Sequence, residues 1–164
     1  STMVEPIFGN VFDHHSVVYE WANGVRMYGL CRTTTGCYDE DSSIVLGAKG
    51  RASIKHCEIR GEKSWRWKGQ CDPYQIEHDK LFAAIRSGNP INAGDYMADS
   101  TLIAIMGQLS CYTGQEIHWD EVKSSDFAYA PKPEDCHDDM TPPTVPGANG
   151  SYPVYIPGRT KLLG

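Results

Sequence analysis

The hydrophobic period of this chain changes near Asp72, and that change constrains its fold more than any other feature. Residues 11–68 are rich in β-branched and aromatic residues and are divided by turn dipeptides at short intervals, which is typical of strands. After Asp72, apolar residues recur every three to four positions, which is typical of amphipathic helices. Strands followed by helices predict an α+β fold. We therefore expect an open, mostly antiparallel β-sheet with helices packed on one face.

The first turn signal is Asn23-Gly24, which separates the strand-like runs 11–22 and 25–33. This dipeptide favours a type I′ hairpin turn, in which both central residues have positive φ. The runs carry apolar residues at both odd and even positions. Because alternate side chains of a strand face opposite sides of the sheet, both faces of this hairpin are expected to need a cover.

A second hairpin is predicted around Gly47–Gly50, between strands at Ser43–Leu46 and Arg51–Ile59. Ser64–Lys68 is a further short strand. Its two tryptophans share one face and are expected to pack in a half-buried strand, with stacking on a sugar ring or a base as the alternative.

Capping signals bound the two predicted helices. Asp72 is suited to the N-cap of the first, Pro73 to its first turn, and Gly88-Asn89-Pro90 ends it. A second apolar stripe begins near Gly94 and stops before Gly114.

The composition changes again after Ser125. Seven of the ten prolines lie between Pro131 and Pro157, among glycines and acidic residues. Such a segment cannot form its own core and is expected to be disordered or to lie across a neighbouring surface. We therefore predict a domain at 1–125 followed by a Pro-rich extended C-terminal arm at 126–164.

Charge and cysteine usage exclude several classes of protein. The chain has 15 basic and 21 acidic residues, a net charge of −6, which disfavours nucleic acid and anionic membranes as partners. No apolar run is long enough to span a bilayer. The six cysteines include no CxxC pair, and we expect them to be reduced core residues. With no leader-like segment at Ser1, these features predict a cytoplasmic protein.

Asp13-His14-His15 is the main candidate for site chemistry. Carboxylate and imidazole groups bind metals, so a metal-dependent enzyme centred on these three residues is one alternative. However, adjacent strand residues point to opposite faces, which disfavours a shared metal and leaves Asp13 and His15 on one face as a possible hydrogen-bonded pair. His78 lies on the apolar face of its predicted helix, where a buried core histidine is the ordinary interpretation.

The sequence contains no G-x-G-x-x-G, no P-loop and no G-x-S-x-G motif. These residues therefore offer no recognisable cradle for a pyrophosphate, and we assign no cofactor and no metal to the chain itself.

Seven segments, taken in order, carry a resemblance to a known family. They are Gly9–His14, Val18–Arg26, Cys31–Arg32, Pro73–His78, Ser100–Gly107, Tyr112–Trp119 and Ile156–Gly158. In these segments the chain resembles one bacterial branch of the glucose–fructose oxidoreductase, inositol dehydrogenase and MocA (Gfo/Idh/MocA) family. Each motif alone is weak, and the collinear set is more specific.

The resemblance implies that cofactor binding and substrate binding belong to two different domains. In the family a Rossmann domain binds NAD or NADP, and a C-terminal domain with an open sheet receives the substrate and commonly forms the oligomer interface. The family's catalytic lysine and histidine lie upstream of the matched region, and Pro131-Lys132-Pro133 does not correspond to the lysine motif because it follows the last helix. The implied function is the substrate-binding and dimerisation domain of an oxidoreductase for a sugar-like or polyol hydroxyl, inactive alone.

Within that function, polar residues on the first strands and first helix are the expected substrate-facing residues. A free-standing, non-catalytic binding or structural module with the same fold is the alternative. The predicted substrate-facing residues are Asp13, His15, Arg32, Tyr74 and His78.

Overall fold

A computed structural model describes residues 9–69 and 72–163. Within these ranges the chain forms strands, helices and one 3₁₀ turn. In chain order they are β1 (His14–Glu20), β2 (Arg26–Arg32), β3 (Ile44–Gly47), β4 (Gly50–Ser53), β5 (Glu58–Gly61), β6 (Trp65–Arg66), α1 (Pro73–Ser87), α2 (Gly94–Thr113), α3 (Trp119–Ser124) and the 3₁₀ helix Pro133–Asp135.

The chain divides into two compact units. The first comprises the chain up to Gly36 and again from Gly94 onward, and the second comprises Cys37–Ala93. The domain boundary expected after residue 125 stays a prediction.

In the first unit, β1 and β2 form a two-stranded antiparallel sheet in which Val17 pairs with Gly29. Its loop differs from the predicted type I′ turn. Trp21 N–H donates to Val25 O, Gly24 N–H donates to Trp21 O, and Gly24 has φ of +80°. Among the described residues Cys57 alone has positive φ without being glycine, so Asn23 does not. The loop therefore resembles a three-residue type I turn closed by a left-handed glycine, and the type I′ prediction is wrong.

Helix α2 packs on β1 and on α3, which gives the first unit its core. The buried apolar side chains come from the segment before β1, the last turns of α2, and α3: Phe12, Leu109, Cys111, Tyr112 and Val122. Gly114, at φ +71°, ends α2 as predicted.

Part of the chain after Ser125 lies against the end of α2. The Tyr155 ring stacks on Tyr112, with centroids 4.1 Å apart and planes 11° from parallel. Gly158 N–H donates to Thr113 O at 2.6 Å. Within 126–163 the structure contains the one 3₁₀ helix and no strand, so the contacts are made by irregular backbone.

In the second unit, β3 to β6 pair consecutively and antiparallel as one sheet. The predicted strand Arg51–Ile59 is divided in two, because a turn at residues 54–57 reverses the chain between β4 and β5. Cys57 N–H donates to Ile54 O at 3.0 Å, and Cys57 has φ of +47°. A non-glycine residue in this left-handed region carries backbone strain.

Helix α1 has the predicted caps. The Asp72 side chain accepts from Tyr74 N and Gln75 N, Pro73 is in the first turn, and Gly88 is left-handed at φ +70°. None of its side chains is buried. The interpretation of His78 as a core histidine is therefore wrong, since its side chain is exposed and its ring Nδ1 donates to Tyr74 O at 2.7 Å.

The α+β class and antiparallel pairing are confirmed, with the strands in two sheets of two and four. Of the described cysteines, Cys111 is buried and free, as expected of a core residue. Cys31, Cys37 and Cys136 are free, as predicted, but exposed, so their placement in the core is wrong. Cys57 is disulfide-bonded, so the prediction that it is reduced is wrong.

None of the helices in the described ranges combines the length and the apolar character needed to cross a membrane.

Candidate functional site

The candidate site is a cleft in the first unit, between the β1–β2 hairpin and α2. Odd-numbered residues of both strands face the helix: Tyr19 O–H donates to Ile103 O at 3.1 Å. Because residues of paired strands share a face at matching register, Val17 and Gly29 lie side by side there. The hairpin therefore forms one wall and α2 the other.

The cleft has a volume of about 460 Å³, within the range of small-molecule sites. Its walls are mainly apolar, with a few groups able to form hydrogen bonds. Those polar groups are His15, Tyr19, Cys31, Thr101 and Gln108. A mostly apolar cleft with a few placed polar groups can orient a small, partly polar ligand.

His15 is the titratable imidazole of the cleft. Its ring lies 6.1 Å from the Phe12 ring and 6.0 Å from the Tyr112 ring, centroid to centroid. Burial lowers the pKa of His15 below its usual 6.5, and a hydrogen bond with the Phe12 backbone partly opposes this. The imidazole is therefore mainly neutral near pH 7, when it offers one donor and one acceptor.

Asp13 does not pair with His15 as the sequence suggested. Its Oδ1 lies 2.7 Å from His14 Nδ1. The prediction assumed that side chains alternate between the two faces, as they do in a strand. Asp13 precedes β1, so this alternation does not apply to it. The pair Asp13–His14 therefore lies at the open end of the hairpin, and Asp13 O accepts from Thr33 N–H there.

Of the five predicted substrate-facing residues, the structure places His15 alone among the residues lining the cleft. Arg32 pairs with His14 in the β1–β2 register and so belongs to the even-numbered face, away from α2. Tyr74 and His78 lie on α1, in the other unit. Of the predicted residues that belong to the first unit, only His15 thus lines this cleft.

Sequence reasoning missed the residues that shape the opposite wall. Gly107 allows the closest approach, because a Cβ there would collide with the Tyr19 hydroxyl oxygen. Thr101, Ala104 and Gln108 line the same side of α2. Their spacing of three to four residues predicts that they share one face of the helix. It does not predict which strand covers that face.

Within 9–69 and 72–163, no group of three or more His, Cys, Asp or Glu residues is arranged to hold a metal ion. This applies to Asp13, His14 and His15 as well.

In comparisons with known proteins, no family model, no curated protein and no solved structure matches this chain.

Proposed function

We propose that this chain is the substrate-binding and dimerisation domain of an NAD(P)-dependent oxidoreductase acting on a sugar-like or polyol hydroxyl. The observation that carries the proposal is the cleft between the β1–β2 hairpin and α2, with a largely neutral His15 among apolar walls. The resemblance of the seven collinear segments to the Gfo/Idh/MocA family supplies the reaction class.

The cleft suits such a ligand chemically. Neutral imidazole, the Gln108 amide and the Thr101 hydroxyl each donate and accept hydrogen bonds, as hydroxyl groups require. The apolar walls can contact the C–H faces of the same ligand. Hydride transfer needs a cofactor that accepts the hydride, and the proposal places NAD or NADP on a separate Rossmann domain of the parent protein.

Dimerisation is proposed through the even-numbered face of the hairpin. Val18, Tyr28 and Leu30 lie on that face with exposed fractions of 57%, 65% and 73%. Apolar side chains on a contiguous surface mark interaction sites, and a second copy of the chain is the proposed occupant.

The proposal includes a cytoplasmic location, although the disulfide at Cys57 is more typical of an oxidising compartment. A thiol titration of protein purified under non-reducing conditions would count the oxidised cysteines.

The first test is a fluorescence titration of the 164-residue chain with NADH. We expect no saturable binding at micromolar concentrations, because no glycine-rich phosphate motif is present in the sequence. Tight binding would contradict the assignment of the cofactor to another domain. A free-standing, non-catalytic module would also fail to bind NADH. The proposal therefore makes a second requirement, that the coding sequence adjoining Ser1 encodes a dinucleotide-binding domain.

The second test uses the parent enzyme and alanine substitutions at the five predicted positions. His15→Ala is expected to raise KM or lower kcat most, because His15 lines the cleft, with His137→Ala as an exposed control. Unchanged kinetics at all five positions would overturn the site assignment.

A further inference from the structure

The four-stranded sheet of the second unit is basic, although the chain as a whole is acidic. Residues 44–69, which contain the whole sheet, have seven Lys or Arg residues and two Glu residues, in a chain of net charge −6. Charge of this sign concentrated on one small sheet favours an anionic ligand over a cationic one.

Strand register places three arginines on one face of this sheet. Arg51 lies directly opposite Arg60, and Arg66 lies opposite Glu58. Like charges directly opposite each other are destabilising, so an anion bound at this face would relieve the repulsion.

The single carboxylate of this face is already engaged. Glu58 accepts from Arg60 at 2.9 and 3.1 Å, and this hydrogen bonding lowers the pKa of Glu58. Among the described residues no carboxylate lies within ion-pair distance of Arg51 or Arg66. The guanidinium of Arg66 therefore remains available to a ligand.

Two tryptophans adjoin this charge. Trp65 and Trp67 are 53% and 52% exposed, with ring centroids 6.3 Å apart and planes inclined by 39°. Both side chains are thus more exposed than the expected half-buried packing of this strand implies. Indole rings this exposed offer flat surfaces on which a ring-shaped ligand can stack.

The charged and aromatic groups meet in one concave surface at β6, the last strand of the sheet. It has a volume of about 380 Å³. By strand register, Arg66 belongs to one face of the sheet and Trp65 to the other, so residues of both faces contribute to this surface. Its lining residues are Glu58, Ile59, Arg60, Ser64, Trp65 and Arg66.

We propose that this surface binds an acidic carbohydrate, with the carboxylate of a uronate ring on Arg66 and the C–H face of that ring on Trp65. Arginine pairs with carboxylates through two parallel hydrogen bonds, which fixes the orientation of the ligand. Ser64 is available to the hydroxyl groups of the sugar.

A single-stranded nucleic acid would use the same kinds of contact, stacking and phosphate–arginine pairing. The acidic balance of the whole chain disfavours a nucleic acid as partner, and among the lining residues only the Arg66 guanidinium has no ion pair, which suits one carboxylate better than a run of phosphates. The proposal is independent of the proposed oxidoreductase function, since binding here involves neither a cofactor nor the His15 cleft.

The test is calorimetric titration of the 164-residue chain with trigalacturonate and, as a matched neutral probe, with its methyl ester. We expect saturable binding of the acid and affinity for the ester lower by about tenfold or more, because a charge-assisted hydrogen bond is lost. Arg66→Gln should reduce affinity for the acid by about the same factor.

Variants at the tryptophan separate stacking from folding. Trp65→Ala should weaken binding about tenfold, whereas Trp65→Tyr, which keeps an aromatic face, should stay within about threefold. Trp21→Ala, in the other unit, is the control and should leave affinity unchanged, with circular dichroism verifying that each variant folds.

Three outcomes would overturn the proposal. They are equal affinity for acid and ester, no saturable binding of trigalacturonate at millimolar concentration, and tighter binding of a hexathymidylate than of trigalacturonate. The last outcome would reassign the surface to single-stranded nucleic acid.

Discussion

At the scale of single residues, the contact between Tyr19 and Gly107 determines how closely the hairpin approaches α2. Glycine in a helix interior destabilises it by about 0.5–1 kcal/mol relative to alanine. Here the lack of a side chain lets the Tyr19 hydroxyl reach Ile103 O across the position where a Cβ would stand. The glycine is thus explained by packing against the strand and not by backbone conformation.

Gly107→Ala is accordingly expected to destabilise the chain by about 1–3 kcal/mol, despite the better helix propensity of alanine. Urea unfolding followed by circular dichroism measures this. The double variant Tyr19→Phe/Gly107→Ala is the control, because removing the hydroxyl relieves the clash, and it should lose less than the sum of the single variants. A stabilised Gly107→Ala would show that the hairpin does not press on α2.

At the scale of elements, three tyrosines connect the chain after Ser125 to the end of α2. Tyr155 stacks on Tyr112, and burial together with these two rings raises the pKa of Tyr129 to about 12. A tyrosine with a raised pKa stabilises the fold below pH 10, and the effect is lost as the pH rises from 10 through about 12. The docked segment is therefore expected to loosen in that range.

Tyr155→Ala should destabilise the chain by about 1 kcal/mol through loss of the stacked pair. Ionisation of Tyr129, followed by alkaline difference absorbance, should move from about 12 toward 10. Tyr152→Ala is the matched control from the same segment, since no ring contact of Tyr152 is found among the described residues. An unchanged titration of Tyr129 would mean that Tyr155 does not hold the segment in place.

At the scale of the whole molecule, large apolar side chains are exposed on the surface of each unit. On the even-numbered face of the hairpin, Val18, Tyr28 and Leu30 have exposed fractions of 57%, 65% and 73%, and Val45 of the second unit is 57% exposed. Contiguous exposed apolar side chains mark interaction sites. The hairpin face is therefore expected to be covered by other protein.

Self-association is the expected consequence for the isolated chain. Analytical ultracentrifugation at micromolar concentration should give a dimer, or a multiple of it, of the 18.2 kDa chain. Val18→Glu should shift it toward monomer, because Val18 lies on the exposed hairpin face and does not line the cleft. Val45→Glu, an equally exposed valine in the other unit, is the control. If the unsubstituted 164-residue chain is a monomer, the proposed dimer interface is contradicted.

Features that follow from short-range rules, which involve a few neighbouring residues, could be predicted from the sequence. They are the α+β class, both caps of α1, the bounds of α2 and the left-handed Gly114. The same rules failed where two local solutions compete. Asn23-Gly24 supports either of two hairpin turns, and Arg51–Ile59 has strand propensity throughout, although a turn at 54–57 divides it.

The sequence by itself thus determined where elements begin and end, because capping and periodicity depend on residues that are close in the chain. Only the tertiary structure decided which faces are covered. His15 was placed in a cleft because α2 packs on its side of β1, while His78 and the Trp65–Trp67 pair remain exposed. Burial depends on partners distant in sequence, such as Tyr19 and Gly107, and no local pattern specifies which distant surface meets a given apolar face.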